Sequence, residues 1–361
     1  MRLKQVPEDF IVEELIELPE LMENGNQTYF WLTKKNWTTE SAIRAISQKC
    51  NASQRRFKFA GSKDKIAVTK QLVSAFKISA DVLQKIKLKD ISIEIVGVGE
   101  APISLGTLTG NRFEITIRDL NPKEITKLEG NLQKIKKNGF RNYFGEQRFG
   151  KGNTHIIGKF ILQGKLEETV KAIICFAGEK ENEDVKIAKA FAVQHWRNWP
   201  FILERFPKHL HLELDLLIWL AKPNNQNDFA GALRVLPKHI RKLYVHAYQS
   251  WLWNTAISKL KTVKGNLLIP GFAMKLGHDT FSKMVRKMLE KDNLTLESFR
   301  CARMPELAVP GESRQAVVKP KKLRLFPDEA DDLNSGKRKL KISFELPKGC
   351  YATVLLELLF A

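Results

Sequence analysis

One acidic residue stands alone in a basic field. Across residues 41–80 the only carboxylate is Asp64, and Arg44, Lys49, Arg55, Arg56, Lys58, Lys63, Lys65, Lys70 and Lys77 lie on either side of it. Nearby cations favour the ionised form of a carboxyl group, so such an aspartate is suited to act as a nucleophile or base amid groups that hold phosphates. The same pattern describes an ion pair in a turn, because Gly61-Ser62-Lys63-Asp64-Lys65 follows a strand expected over residues 56–60, and ion-pair networks perturb carboxylates equally well. A second group, Asn142-Tyr-Phe144-Gly-Glu-Gln-Arg-Phe-Gly150, packs amide, aromatic and guanidinium groups between glycines on a loop. Aromatics stack on flat rings, amides read their edges, and glycines let a backbone approach closely. An aromatic plug closing a sheet would use the same residues. A third group, Leu346-Pro-Lys-Gly-Cys-Tyr351-Ala-Thr353, reads as a strand-to-helix turn with an exposed aromatic, Tyr351.

Other chemistries find no support in the residue pattern. The histidines include one HxH pair, His209 and His211, but no carboxylate or cysteine at a spacing that completes a metal site. Cys50, Cys175, Cys301 and Cys350 are scattered without a CxxC, which argues against a zinc module and a disulfide framework and fits a reducing cytoplasm. No GxxxxGK[ST] stretch occurs, and Gly97-Val-Gly99 continues without the third glycine of a dinucleotide loop. No metal, no cofactor and no nucleotide cofactor are expected.

These groups need a scaffold. Residues 10–18 and 29–34 read as strands, and the second feeds a helix capped by Thr38 or Thr39 with Ile43, Ile46 and Cys50 on a buried face. Further strands are expected at residues 91–98 and 113–117, the latter introduced by a Thr109-Gly110-Asn111 turn. Asn121-Pro122-Lys-Glu124 opens a helix with the stripe Ile125, Leu128, Leu132, Ile135 and a stop at Gly139. After Gly150 the pattern turns helical, at residues 166–177, 210–220 and 240–260. In this last helix the run from His246 to Asn254 is expected to serve packing. Alternation returns at Leu340, Ile342, Phe344 and Leu346, which predicts that the chain re-enters the first sheet there. Residues 319–341, of mixed charge with Pro320, Pro327 and Ser335-Gly336, read as an exposed, mobile loop. The expected fold is α/β (α+β): a mixed, largely antiparallel sheet domain, residues 1–155 and 316–361, interrupted by a more helical α/β insertion, residues 156–315.

Composition bounds the partner. With 60 Lys plus Arg against 40 Asp plus Glu the formal charge is +20, which predicts an anionic partner. A 43% apolar fraction supplies a folded core, so the charge does not belong to a disordered tail. No run approaches the roughly 20 apolar residues of a membrane span, and the start of the chain lacks an apolar segment behind its charges. The expectation is a cytoplasmic monomer with no membrane contact.

Together these segments resemble the TruD family of tRNA pseudouridine synthases. Phe59-Ala-Gly-Ser-Lys-Asp64-Lys-Ile-Ala-Val-Thr-Lys-Gln71 is similar to the family's signature around its catalytic aspartate, and Glu8-Asp-Phe10-Ile-Val-Glu-Glu14 to its N-terminal motif. Residues 142–150 and 346–353 resemble its second and last motifs in the same order. The resemblance implies cofactor-free isomerisation of a flipped uridine in tRNA, at position 13 in the D arm, with Asp64 as nucleophile attacking either the ribose or the uracil ring. It further implies that Asn142 and Phe144 hold and stack the uracil, that Phe10 and Tyr351 line the pocket, and that Lys4 lies near the site. Another tRNA-modifying enzyme, or an RNA-binding module without chemistry, fits the charge equally well. Two departures stand out. Phe144 occupies a place where other pseudouridine synthase families carry tyrosine, and phenylalanine cannot accept the C5 proton. Within Val354-Leu-Leu-Glu357-Leu358 the family pattern has an Arg-Glu pair, so Glu357 puts an arginine contact to the catalytic aspartate in question.

Overall fold

A computed structural model describes residues 1–361, the side chain of Leu105 excepted. The chain divides into two compact units, Met1–Phe140 with Val318–Ala361, and Arg141–Val317. The sequence boundary was expected at residue 156, whereas the contact division falls at Arg141.

The first unit is built on one nine-stranded sheet in the order β11-β13-β6-β1-β4-β2-β5, with β3 added to β4 and β12 to β13. Its strands are β1 (Phe10–Ile16), β2 (Gln27–Lys35), β3 (Phe57–Phe59), β4 (Val68–Phe76), β5 (Ile91–Gly99), β6 (Leu108–Leu120), β11 (Lys321–Leu325), β12 (Glu329–Ala330) and β13 (Arg338–Pro347). All its ladders are antiparallel except β1 with β4. Alternation along β2 explains the layering: Phe30 and Leu32 pack with Ile43 and Ile46 of α1 (Thr39–Lys49), whereas Tyr29 joins Leu72 and Ile103 in another cluster. Thr38 caps α1 by accepting from Ser41 N, as expected. Cys50 is only half-buried at the end of that helix.

A short α2 (Ala80–Gln84) follows β4, and α3 (Pro122–Asn138) carries the expected reciprocal cap, with Asn121 Oδ1 accepting from Glu124 N at 3.0 Å and Glu124 Oε2 from Asn121 N at 2.8 Å. The final α12 (Ala352–Phe360) packs against α3. Strand β13 does return to the sheet, pairing Ile342 with Ile115 and Phe344 with Phe113.

Two expectations need correction. Thr109-Gly110-Asn111 is not a turn but part of β6, where Gly110 opposes both Leu15 and Pro347. A Cβ on Gly110 would lie 2.3 Å from the Leu346 carbonyl oxygen, so this glycine serves the close approach of strands. Residues 319–341 are not a free loop either. They form β11 and β12 and bring Asp331 and Asp332 to the buried Arg118, whose Nη1 lies 2.8 Å from each; Nε lies 2.8 Å from Asp9. Among the mixed charges of this stretch, Asp331 is buried against Arg118 and Asp332 meets the same guanidinium from the exposed side; both carboxyls are held well below the usual carboxylate range. For Asp331 burial opposes the shift, and the Asp119 and Leu333 amides outweigh it; for Asp332 the Lys339 ammonium leads. Arg118 also exchanges main-chain hydrogen bonds with Arg2, at 2.8 and 3.0 Å, so the N-terminal segment is tied down on both sides of Lys4.

The second unit is mainly helical: α4 (Thr154–Leu162), α5 (Leu166–Ile174), α6 (Glu183–Gln194), α7 (Trp199–Arg205), α8 (His211–Leu220), α9 (Phe229–Val235), α10 (Lys238–Lys259) and α11 (Thr280–Lys291), with the antiparallel pair β8 (Asn266–Ile269) and β9 (Glu312–Gln315). The two-residue strands β7 (Phe140–Arg141) and β10 (Val317–Val318) span the points where the chain leaves and rejoins the first unit. Helix α10 buries Tyr248, Leu252, Trp253 and Ala256 and packs on α4. Among the described residues no helix is long and apolar enough to cross a membrane, and no three His, Cys, Asp or Glu side chains are grouped to hold a metal ion.

Candidate active site

Asp64 sits in the segment between β3 and β4, at 41% side-chain exposure. Its carboxylate does not meet the basic neighbours that surround it in sequence. Lys63 turns instead to the buried Glu14, at 2.5 Å, Lys70 to Glu94, at 3.3 Å, and Arg56 to the carbonyls of Phe76 and Lys77. The partner comes from sixty residues upstream: Lys4 Nζ lies 2.6 Å from Asp64 Oδ2 and 4.0 Å from the centroid of the Phe10 ring. Lys4 itself adopts a left-handed φ of 55°, uncommon for a side chain of this type. Three residues expected from the sequence, Lys4, Phe10 and Asp64, are thus assembled in the first unit.

The main chain carrying Asp64 is anchored from several elements. Gln71 Nε2 on β4 donates to Gly61 O at 3.2 Å, and Lys63 N donates to Thr39 Oγ1 on α1 at 2.9 Å. Thr39 Oγ1 in turn donates to Gln71 Oε1 at 2.8 Å. Ser62 Oγ bonds Glu40. Lys34 Nζ on β2 donates to Asp64 O at 3.0 Å. Glu14 on β1 completes the frame, accepting from Lys63 and from Leu72 N at 3.1 Å; burial pushes its carboxyl up, against the pull of Lys63. A half-exposed carboxylate thus stands on a segment whose polar groups are bonded to β2, β4 and α1, so the arrangement holds one carboxylate on a rigid seat.

Tyr351 stands at the N-cap of α12, just beyond β13, and is half-buried rather than exposed. Glu357 is exposed on the same helix.

Asn142 and Phe144 meet in a second cluster, within the other unit. Asn142 is 3% exposed, and its amide is committed: Nδ2 donates to Gln315 O at 2.9 Å, and Oδ1 accepts from Arg314 Nη2 at 2.8 Å. Arg314 also donates from Nε to Asn142 O, at 3.2 Å, and its guanidinium carbon lies 4.0 Å from the Phe144 ring centroid. Phe144 is 8% exposed and meets Trp253 edge-on at 6.4 Å. Asn254 brackets its peptide, accepting from Phe144 N at 2.8 Å and donating to Phe144 O at 2.9 Å, while Trp253 Nε1 donates to Asn142 O at 3.1 Å. The expected packing role of the α10 segment is therefore specific: two consecutive residues, Trp253 and Asn254, fix the loop.

Sequence reasoning missed Lys34, Thr39, Arg314 and Asn254 as parts of these clusters. Glu14 and Gln71 lay inside the quoted motifs without a role. For Arg314 no local signal exists, since it reaches Asn142 across 172 residues of chain.

The chain matches the family model described as tRNA pseudouridine synthase D (TruD) over residues 1–267 and 261–358. A relative in Methanopyrus kandleri, named a probable tRNA pseudouridine synthase D, is 33% identical over 94% of this chain and 86% of its own length. The tRNA pseudouridine synthase D of Aquifex aeolicus is 30% identical, over 100% of this chain and 98% of its own. Among solved structures, the TruD crystal structure from Methanosarcina mazei superimposes with a TM-score of 0.77 at 29% identity, covering 99% of this chain and 93% of that one. The chain belongs to the tRNA pseudouridine synthase D (TruD) family.

Proposed function

We propose that this protein isomerises uridine to pseudouridine in tRNA, at position 13 of the D arm, with Asp64 as the nucleophile and no cofactor. Family membership supports the reaction class. The observation that carries the residue assignment is the half-exposed Asp64 carboxylate, paired with Lys4 beside the Phe10 ring and seated on a loop whose main chain is bonded to β2, β4 and α1. In the isomerisation the bond from C1′ to N1 breaks, a bond from C1′ to C5 forms, the C5 proton leaves and N1 gains one, so the atoms balance without a redox partner. Asp64 opens this sequence by attack on C1′ or on the ring. Phe10, Phe144 and Tyr351 are assigned to the flipped base by resemblance, and Asn142, whose amide is already bonded, is assigned to holding that base through the loop it steadies.

The test uses tRNA carrying tritium at uridine C5. The parent protein should release the label with nothing added. Asp64→Asn keeps shape and hydrogen-bonding capacity but removes the charge, so release should cease while tRNA affinity changes by much less than tenfold (~1.4 kcal/mol). Tight tRNA binding by a parent that releases no label would instead favour a binding module, and turnover by Asp64→Asn would remove the nucleophile.

A further inference from the structure

Beneath Asp64 lies a lysine that the chemistry above does not use. Lys34 continues the β2 stripe of Phe30 and Leu32 toward α1, and its side chain is fully buried. Its ammonium donates to Trp37 O at 2.5 Å and to Asp64 O at 3.0 Å. Burying an ammonium costs free energy that an aliphatic chain of similar volume avoids. What the charge adds is a pair of charge-assisted hydrogen bonds, one of them to the residue that carries the reactive carboxylate. The other anchors of the segment hold Gly61, Ser62 and Lys63. Lys34 holds the main chain of Asp64 itself, while Lys4 holds its carboxylate. Two ammonium groups therefore fix the two ends of one residue, and with them the direction in which its side chain leaves the backbone.

We propose that Lys34 is a positioning residue for the isomerisation, whose ammonium clasps the Asp64 peptide and so aims the carboxylate. The inference rests on the assignment of Asp64 as nucleophile. It has a signature that a purely structural lysine lacks. Burial lowers Lys34 to about 8, against the pull of Asp64 and Glu40 and with a push from Lys63; its ladder partners Thr69 on β4 and Ile91 on β5 carry no charge. An unfolded lysine keeps its proton to about 10.4. Between those two values the unfolded chain binds more protons, so the contribution of Lys34 to stability grows as pH rises through this window and is lost as pH falls through about 8. Alkali should thus weaken the clasp on Asp64 without a matching loss of stability from Lys34.

Tritium release by the parent, Lys34→Met and Lys34→Arg separates the outcomes. Lys34→Met fills the space without a donor, and its kcat should fall about 10- to 100-fold, the scale of a misplaced catalytic group, with KM for tRNA within about twofold. The parent kcat should decline as pH passes about 8, while tRNA affinity and melting temperature do not. Lys34→Arg stays charged and should restore part of kcat and move that decline to higher pH. Parent-like kcat and pH profile in Lys34→Met overturn the proposal. Should neither variant fold, the parent decides: a kcat flat through about 8 overturns the proposal, and a decline without loss of affinity or melting temperature supports it. A parent that releases no label refutes the isomerase reading and this inference with it; an active parent beside an indifferent Lys34→Met refutes only the inference.

Discussion

Phe144 poses the sharpest question at the scale of single residues, because the ring assigned to a flipped uracil is also a packed one. At 8% exposure, with Arg314 4.0 Å from its centroid and Trp253 at its edge, it contributes to stability whatever else it does. Phe144→Ala should therefore lower the melting temperature clearly, in line with the about 3 to 5 kcal/mol typical of a deleted core phenylalanine. That variant cannot separate packing from recognition. Phe144→Leu can, since it refills most of the volume but offers no π face: tritium release should drop roughly 5- to 150-fold, the worth of one base stack at about 1 to 3 kcal/mol, with the melting temperature near the parent's. Parent-like release by a folded Phe144→Leu protein would leave the ring a structural plug, the alternative its sequence context also allowed.

At the scale of elements, two glycines with opposite surroundings test how the sheet and its helix are built. Gly110 lies in β6 where strands on both sides approach, and the Leu346 carbonyl occupies the space of a Cβ at 2.3 Å. Gly130 sits exposed inside α3 with nothing within 4 Å of its Cβ. Gly110→Ala should force β13 away from β6 and lower the melting temperature or the soluble yield. Gly130→Ala should stabilise by about 0.5 to 1 kcal/mol, because alanine restricts the unfolded chain and favours helix. Equal effects of the two changes would contradict the register of β6 and β13. The same pair shows what a sequence displays and what it hides. The α3 cap, the α1 stripe and the return of β13 were legible because they rest on spacings of two, three and four residues. Gly110 was misread as a turn because its reason is a strand more than two hundred residues away. Residues 319–341 were misread as a loop because β11 and β12 pair with β13 and because Asp331 and Asp332 are met by Arg118, more than two hundred residues away. In the candidate site, Asp64, Lys4 and Phe10 were legible from motifs, whereas the lysine that meets the carboxylate could not be chosen from the many nearer cations by charge alone. Lys34 was invisible as an anchor, since a buried lysine in a strand looks in sequence like a solvated one.

For the whole molecule the dominant quantity is charge. Internal ion pairs cannot remove the excess of +20: Lys63 cancels Glu14, and Arg118, set against both Asp9 and Asp331, takes up one more anion than cation. That excess must be balanced by counter-ions or by an anionic partner, and a tRNA backbone supplies the latter with release of its own condensed cations. Affinity for tRNA should then fall linearly in log Kd against log salt. Each phosphate neutralised contributes roughly 0.7 to 0.9 to that slope, so several contacts predict a slope steeper than about 3. Phosphate contacts position the RNA without reading it, so tRNAs that are not substrates should show nearly the same slope and differ mainly in turnover. Measuring Kd from about 50 to 300 mM salt for a substrate tRNA and a non-substrate tRNA checks both statements. A slope below about 1 would mean that the positive excess does not face the RNA, and the basic composition would then need another explanation than substrate binding.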